Sequence, residues 1–426
     1  MDISVMVIGG GIGGLALAHG LRRAGIPVRV FERTHERADW LQGYRIHINP
    51  AGARALHDLL PPGGWSAFTR EVSPGGGFGF LTDRGADLLG LADDEINAPA
   101  AGPAGRHYGI GRVQLRRVLL DGLLDGPDEV LVPGREFVSY ELDGEQVIAR
   151  FADGTSARGD VLVGADGANS RVRAQLLPSA AGRVDTGVLT IAGRCRSTGG
   201  LPPTLTTRAN VVVPRGRGSL FTAAWTGDAE EQVLWGFSDA TERFPADVEG
   251  LGPEALTDLV EDRLRGWAPE FRSLVRRSDP ATVNAFRVKS AITVRAPAHP
   301  TGRGATVRST TDKTVELSTG RVTLLGDAVH SMTPMAGVGA NTALRDAALL
   351  SRELIGVSAG QPLLGAIEQY EREMLTYGFA AVRQSLRNAR QAAHSTAVGR
   401  ASFRTVLRLT AAVPPLRRRF ARSLGT

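Results

Sequence analysis

Three short groups of residues, far apart in a chain of 426, have the types and spacing to hold a dinucleotide. The first is Gly9-Gly10-Gly11-Ile12-Gly13-Gly14 with Glu32, the second Gly164-Ala165-Asp166-Gly167, and the third Gly326-Asp327 running on to Asn341. A glycine turn between a strand and a helix lets the backbone approach a pyrophosphate and aims the free N–H groups of the helix N-terminus at it. An acid about twenty residues further on accepts from ribose hydroxyls. Glu32 stands at that place, with Arg33 beside it.

The elements that must position these groups are legible around them. The apolar run from Ile3 to Ile8 reads as a buried parallel strand, and Leu15, Leu17, Ala18, Leu21 and Ala24 read as the helix after the turn. Gly9 then permits the turn, Gly11 the approach of the phosphates, and Gly14 the close packing of helix on strand. Val28 to Phe31 is the next strand and delivers Glu32. In the third group, Pro334 and Gly337-Val338-Gly339-Ala340 precede Asn341 and the apolar positions Ala347, Leu350 and Leu354, so a glycine-rich turn opens another helix. Amides at such an end stabilise an anion by about 0.3–2 kcal/mol. Gly216-Arg217-Gly218 and Gly302-Arg303-Gly304 lack a strand, helix and acid around them, so a second nucleotide domain is not expected.

Nucleotide signals at the start, in the middle and past residue 320 require a discontinuous domain. Between them, Gly187 to Ala192, Ser219 to Trp225 and Gln232 to Phe237 read as strands of an inserted sheet, and Leu256 to Trp267 as a helix closing it. Pro297 to Gly320 reads as an exposed loop or hairpin.

The single Cys195 excludes an internal disulfide, and the absence of clustered Cys and His argues against a structural metal. The N-terminal apolar stretch follows Asp2 without a basic lead, and no run of eighteen apolar residues occurs. A cytoplasmic bacterial protein, with no transmembrane segment, is therefore expected. Net charge is +6, yet ten arginines and no acid follow Glu373, so the rest of the chain is net acidic. Arg383, Arg387 and Arg390, then Arg417-Arg418-Arg419, Phe420 and Arg422, read as a solvated helix face or as a contact with an anionic membrane. Two lysines against 48 arginines reflect a genome bias better than phosphate recognition, and nucleic acid is not an expected partner.

With these motifs on the page, the chain resembles the class A, single-component FAD-dependent monooxygenases, the para-hydroxybenzoate hydroxylase-like family that includes natural-product tailoring enzymes. Asp160 to Arg173 is similar to its middle motif, and Gly326-Asp327-Ala328-Val329-His330 with Pro334, Gly337, Gly339, Asn341 and Asp346-Ala347 to its third. Arg112 before Leu115 and Leu119 resembles its arginine opening a helix near the flavin. The resemblance implies bound FAD, with Asp327 on the ribityl chain, Asp166 and Gly167 beside it, and the isoalloxazine edge at the Gly337–Asn341 turn. It implies NAD(P)H and O2 as co-substrates and a C4a-hydroperoxyflavin that passes one oxygen atom to an aromatic or polyketide-like small molecule, by hydroxylation, epoxidation or Baeyer–Villiger insertion. No indispensable acid–base dyad is then expected.

The fold expected is α/β: a discontinuous Rossmann-like FAD-binding domain over residues 1–75, 100–178 and 288–375, an inserted β-sheet substrate domain over 76–99 and 179–287, and an arginine-rich helical segment over 376–426. Monomer and homodimer both stand.

For the substrate, Gly43 to Pro50 departs from the family's usual Gly-Ala-Gly-Ile. As a strand it puts Arg45, His47 and Asn49 on one face, either to hold a phenolate, carboxylate or pyrophosphate, or as an ordinary exposed edge. Trp225, Trp235 and Phe237 read as a cavity wall or as plain core, Arg194 as an anion partner, and Met332 and Met335 as adaptable contacts. Two other functions remain open: a reductase or dehydrogenase of the same fold that never activates oxygen, and a binding protein with a redox-inert FAD.

Overall fold

A computed structural model describes residues 3–34, 45–97, 102–123, 129–196, 198–227, 230–295, 315–317 and 320–424. The expected strand, glycine turn and helix form as Val5–Ile8, residues 9–11 and Ile12–Arg23. Val5–Ile8 lies at the centre of a five-stranded parallel sheet, in the order Val322–Leu324, Val161–Gly164, Val5–Ile8, Val28–Glu32 and Leu131–Pro133. Each of the three nucleotide motifs follows the C-terminal end of one of its strands, Val5–Ile8 and Val161–Gly164 inside the sheet and Val322–Leu324 at its margin, so parallel pairing brings residues more than 150 positions apart to one end of the sheet. Ligands bind at this end in open α/β sheets. All four residues of Val5–Ile8 are buried, as a strand covered on both faces requires.

A second, seven-stranded sheet runs in the order Asn284–Ala291, Arg183–Cys195, Glu230–Ala240, Ser219–Gly227, Arg208–Val212, Gly77–Leu81 and Asp87–Leu91. The chain is thus an α/β fold with a Rossmann-like nucleotide sheet, an additional large sheet and C-terminal helices. Two expected boundaries shift. The strand Asn284–Ala291 continues the large sheet past residue 287 because it pairs with Arg183–Cys195 as far as Ala291, and the helix Leu363–His394 runs unbroken through residue 375. The inserted helix is Pro253–Arg263, which ends before Trp267. Much of Pro297 to Gly320 lies outside the described residues, as do Gly43 and Tyr44.

One face of the large sheet packs on Pro253–Arg263 and Pro269–Arg276 in a core holding Trp235, Phe237, Phe271 and Cys195. The opposite face turns toward the nucleotide sheet and leaves a cavity between them. At the sheet's end Ala397–Ala412 and Pro414–Ser423 dock in a separate small core of Leu88, Leu89, Leu91, Val213, Leu407 and Ala421. Among the described residues no helix is long and apolar enough to cross a membrane.

Candidate active site

The glycines of the first motif differ in what surrounds them. Gly9 leaves its strand at φ 111°, and a Cβ there would sit 2.5 Å from the carbonyl oxygen of Ala165, so the first motif abuts the middle one. A Cβ on Gly14 would sit 2.2 Å from the carbonyl oxygen of Gly9, whereas one on Gly11 would meet nothing within 4 Å. The turn is therefore closed on the protein side and open on the cavity side. Gly14→Ala is expected to cost about 1–3 kcal/mol, since backbone rather than a flexible side chain must give way. Thermal unfolding of the FAD-free protein would show it, and an unchanged midpoint would mean that this approach can relax freely.

Glu32 is buried at the cavity's edge with its carboxylate already aimed. Its Oε2 accepts from the Gly10 amide at 2.7 Å, and its Oε1 accepts from the Thr34 amide and hydroxyl at 3.2 and 2.8 Å. Asp166 works similarly in the middle motif: Oδ2 accepts from the Arg171 and Val172 amides at 2.7 and 3.2 Å, holding the start of the helix Arg171–Leu176. Its Oδ1 is enclosed without a protein partner and belongs to the cavity wall.

Arg173 ties the middle motif to the third. Its Nη1 donates to the carbonyls of Ala328 and Asp327 at 2.9 and 3.4 Å, and Nη2 to those of Ala168 and Ala181 at 2.8 and 2.9 Å. In the third motif Gly326, at φ 63°, turns the chain so that Asp327 opens the short helix Asp327–His330. Asp327 lies deep in the molecule but is exposed to the cavity, and burial, opposed by His330, Arg112 and Arg183, raises its carboxyl above the ordinary range.

Behind this turn Asp346 gathers three donors. Oδ2 accepts from the Gly326 amide at 2.8 Å and from His330 Nε2 at 2.7 Å, and Oδ1 accepts from the Tyr377 hydroxyl at 2.6 Å. Burial works against the charge on His330, yet Asp346, together with Asp327 and a backbone hydrogen bond, raises the imidazole above its ordinary value. His330 is fully buried and absent from the cavity wall, so it packs behind the site.

Gly9, Gly11, Ile12, Gly13, Glu32, Arg33, Arg112, Asp166, Gly167, Gly326, Asp327, Pro334, Gly337, Gly339, Ala340 and Asn341 all line one cavity of about 1530 Å³, and Gly14 packs just behind it. Open space at Gly11, Gly167 and Gly337, an unpartnered carboxylate oxygen on Asp166 and an acid at Asp327 fit a dinucleotide lying along this wall. Arg112 opens the helix Arg112–Leu120, as expected. Asn341 makes a different use of its amide: Oδ1 accepts from the Asn49 amide at 2.8 Å and Nδ2 donates to the His47 carbonyl at 2.7 Å, joining the third motif to the polar strand.

That strand, Arg45–Ile48, does turn Arg45 and His47 to the cavity. His47 Nε2 lies 2.8 Å from Nδ1 of His107, a residue sequence reasoning did not single out, 60 positions away on the neighbouring strand region. Burial depresses both rings, His47 to about 3, with Arg45 and His107 adding to it, and His107 to about 4, so both are neutral at pH 7. Burial also lowers Arg45 to about 10, which leaves it cationic, and its Nε has no partner within the described protein.

The opposite wall is built mainly from other residues than the three aromatics. Strand residues alternate faces, and it is Leu234, Gly236 and Ser238, with Thr190, Ala192, Phe221, Ala223 and Phe286, that line the cavity. Phe237 points the other way, its ring centroid 6.4 and 6.5 Å from those of Phe244 and Trp267. Trp235 touches the lining, but it is fully buried in that same core and its Nε1 donates to Ser278 at 2.6 Å. The Trp225 side chain lies outside the described residues. Arg194 is corrected: it sits beyond the cavity's end, paired with Asp279 at 3.4 Å. Met332 and Met335 do line the cavity.

A protein-family model described as an FAD binding domain matches residues 2–195 and 276–385. A dual O-methyltransferase/FAD-dependent monooxygenase of Phaeosphaeria nodorum is 31% identical over an alignment of 405 positions that covers 84% of this chain and 41% of that protein, so the chain spans about two fifths of it. A 3-amino-4-hydroxybenzoate 2-monooxygenase of Streptomyces platensis is 31% identical over 394 residues, 92% of this chain and 87% of its own. Among solved structures, a protein of Photorhabdus luminescens provisionally assigned as an FAD-containing monooxygenase superposes with a TM-score of 0.78 at 35% identity, covering 92% of this chain and 98% of that one.

Proposed function

This chain belongs to the FAD-binding-domain family of FAD-dependent monooxygenases, and on that premise we propose that it uses NAD(P)H and O2 to place one oxygen atom in an aromatic or polyketide-like small molecule. The observation that carries this reading is that the nucleotide wall, the apolar face of the large sheet and the polar group of Arg45, His47 and His107 all line a single cavity.

We assign Gly9 to Gly13 and Glu32 to the adenosine and pyrophosphate end of FAD, Asp166 and Asp327 to its middle, and the Gly337–Asn341 turn to its ring edge. The bound FAD supplies reductive activation of oxygen. The chain's own residues bind and orient the substrate. Phe221, Ala223, Leu234, Phe286 and Met335 desolvate an apolar body, and Phe403 and Phe420 of the C-terminal helices close the chamber against water. Arg45 receives an acidic hydroxyl or carboxylate.

The His47–His107 pair moves the proton. Because both rings are neutral, a proton taken up at one end of the pair leaves at the other as the Nε2···Nδ1 hydrogen bond reverses, and no imidazolium is left buried. His47→Phe is expected to lower kcat about 100-fold or more at neutral pH, with activity returning above the substrate's own pKa. A pH–rate profile identical in shape to the parent's would remove the pair from the reaction.

The reading is tested by anaerobic bleaching of the flavin with NADPH and NADH across a panel of phenols, naphthoquinones and polyketide aromatics. Acceleration by one compound supports substrate-gated reduction and names its class. Fast bleaching indifferent to every compound favours the reductase reading.

A further inference from the structure

The helix Ala397–Ala412 has two faces with different work. Its inner face supplies Gly399, Arg400 and Phe403 to the substrate cavity, alongside Phe420, Ser423 and Leu424 of the following helix. Its outer face carries exposed aliphatic side chains: Val398, Val406, Leu409 and Val413 fall within one stripe at helical spacing, interrupted by Ser402, and are 76, 55, 55 and 38% exposed, with Leu416 at 45% just beyond. Solvated helix faces are normally polar.

Beside that stripe lies a second cavity of about 360 Å³, lined by Arg215, Ala397, Arg400, Ala401, Arg404, Thr405 and Arg408. Four arginines share it and no carboxylate belongs to its wall. Arg404 is spoken for, donating to Asp83 at 3.2 Å and to the Val213 carbonyl at 3.0 Å, and Arg417 likewise holds Glu95 at 2.6 Å. These two pin the helices to the large sheet. Among the described residues Arg408, Arg418 and Arg419 make no ion pair, and no acid occurs after Glu373 to neutralise them. Arg400 donates to the carbonyls of Arg215 and Ser395, and burial, Arg243 and Arg217 work against its protonation while Asp239 favours it.

We propose that this face docks on an anionic phospholipid surface, with a headgroup phosphate seated between Arg215, Arg400 and Arg408 and the Val398–Val413 stripe meeting the acyl region. A protein partner would call for mixed polar complementarity at the rim, whereas a face of one sign wrapped round aliphatic side chains matches an anionic bilayer. Arg400 lines both cavities, so the docked face adjoins the substrate chamber. A lipophilic substrate then reaches the flavin without crossing bulk water.

The test is flotation of the FAD-loaded full chain with vesicles of phosphatidylcholine alone and of phosphatidylcholine mixed with phosphatidylglycerol; it needs no substrate and is independent of the reaction assigned above. Binding to the mixed vesicles only, weakened by salt, is expected. Arg408→Gln with Arg419→Gln should reduce partitioning about thirtyfold, at roughly fivefold per arginine, and Val406→Glu with Leu409→Glu should abolish it, all with full flavin content. Failure of the parent to float with mixed vesicles overturns the proposal. So does a dimer in gel filtration that Leu409→Glu dissolves, which would give the stripe to a second copy, and so does an arginine variant that still floats but needs more NADPH for flavin bleaching, which would give the pocket to the nicotinamide cofactor's phosphates.

Discussion

Replacing Asp346 by Asn destabilises the protein by about 3–5 kcal/mol, the cost of breaking a buried ion pair from one side. Three donors converge on this carboxylate: the Gly326 amide, His330 Nε2 and the Tyr377 hydroxyl. A carboxylate only accepts, but an amide must turn its NH2 toward at least one of them. The pH dependence gives a second signature. With its folded-state value raised above 6.5, His330 contributes stability that is fully present below 6.5 and is lost as pH rises through the raised value. Without the carboxylate, burial remains the largest influence on His330, opposed only by Asp327 and a backbone hydrogen bond, so this pH-dependent contribution shrinks. Urea midpoints across this range would check both statements; a variant within about 0.5 kcal/mol of the parent, the range of ordinary surface changes, would show that Asp346 does not hold the turn.

Asp327→Ala gives the opposite pattern, with the fold kept and the flavin lost. The Asp327 side chain makes no hydrogen bond to protein among the described residues, and burial already opposes its charge. Removing it therefore leaves the FAD-free protein as stable as the parent or more so. A charged hydrogen bond to the ribityl chain contributes about 1.5–3 kcal/mol, so FAD affinity falls roughly 10- to 150-fold and the purified protein is colourless. Flavin absorbance and the unfolding midpoint, measured on the same sample, separate the two aspartates. A yellow Asp327→Ala variant at full occupancy would move the ribityl contact elsewhere.

The nucleotide wall was legible because its requirements are backbone requirements. Only glycine fits where a Cβ would fall 2.2–2.5 Å from another carbonyl oxygen, as at Gly9 and Gly14, and such positions leave a fixed spacing in the chain. Arg45 and His47 were readable as one face of a strand for a similar local reason.

The large sheet was harder. Both of its faces are apolar, one against helices and one against the cavity, so the period-two contrast that would orient a strand is missing, and Trp235 and Phe237 look the same from either side. The residues with no assigned role in the sequence act through long-range contacts. Asp346 meets Tyr377 31 positions away, His47 meets His107 60 away, and Arg173 meets Ala328 155 away. The basic tail likewise conceals two structural arginines, Arg404 and Arg417, whose carboxylates lie more than 300 positions upstream.

Incorporation of label from 18O2, with the compound that most accelerates flavin bleaching as substrate, distinguishes oxygen insertion from simple reduction. The account predicts one 18O atom in each product molecule, with NAD(P)H consumed in equal amount. Product free of label, formed while NAD(P)H is consumed, would contradict it and make the enzyme a reductase on the same fold.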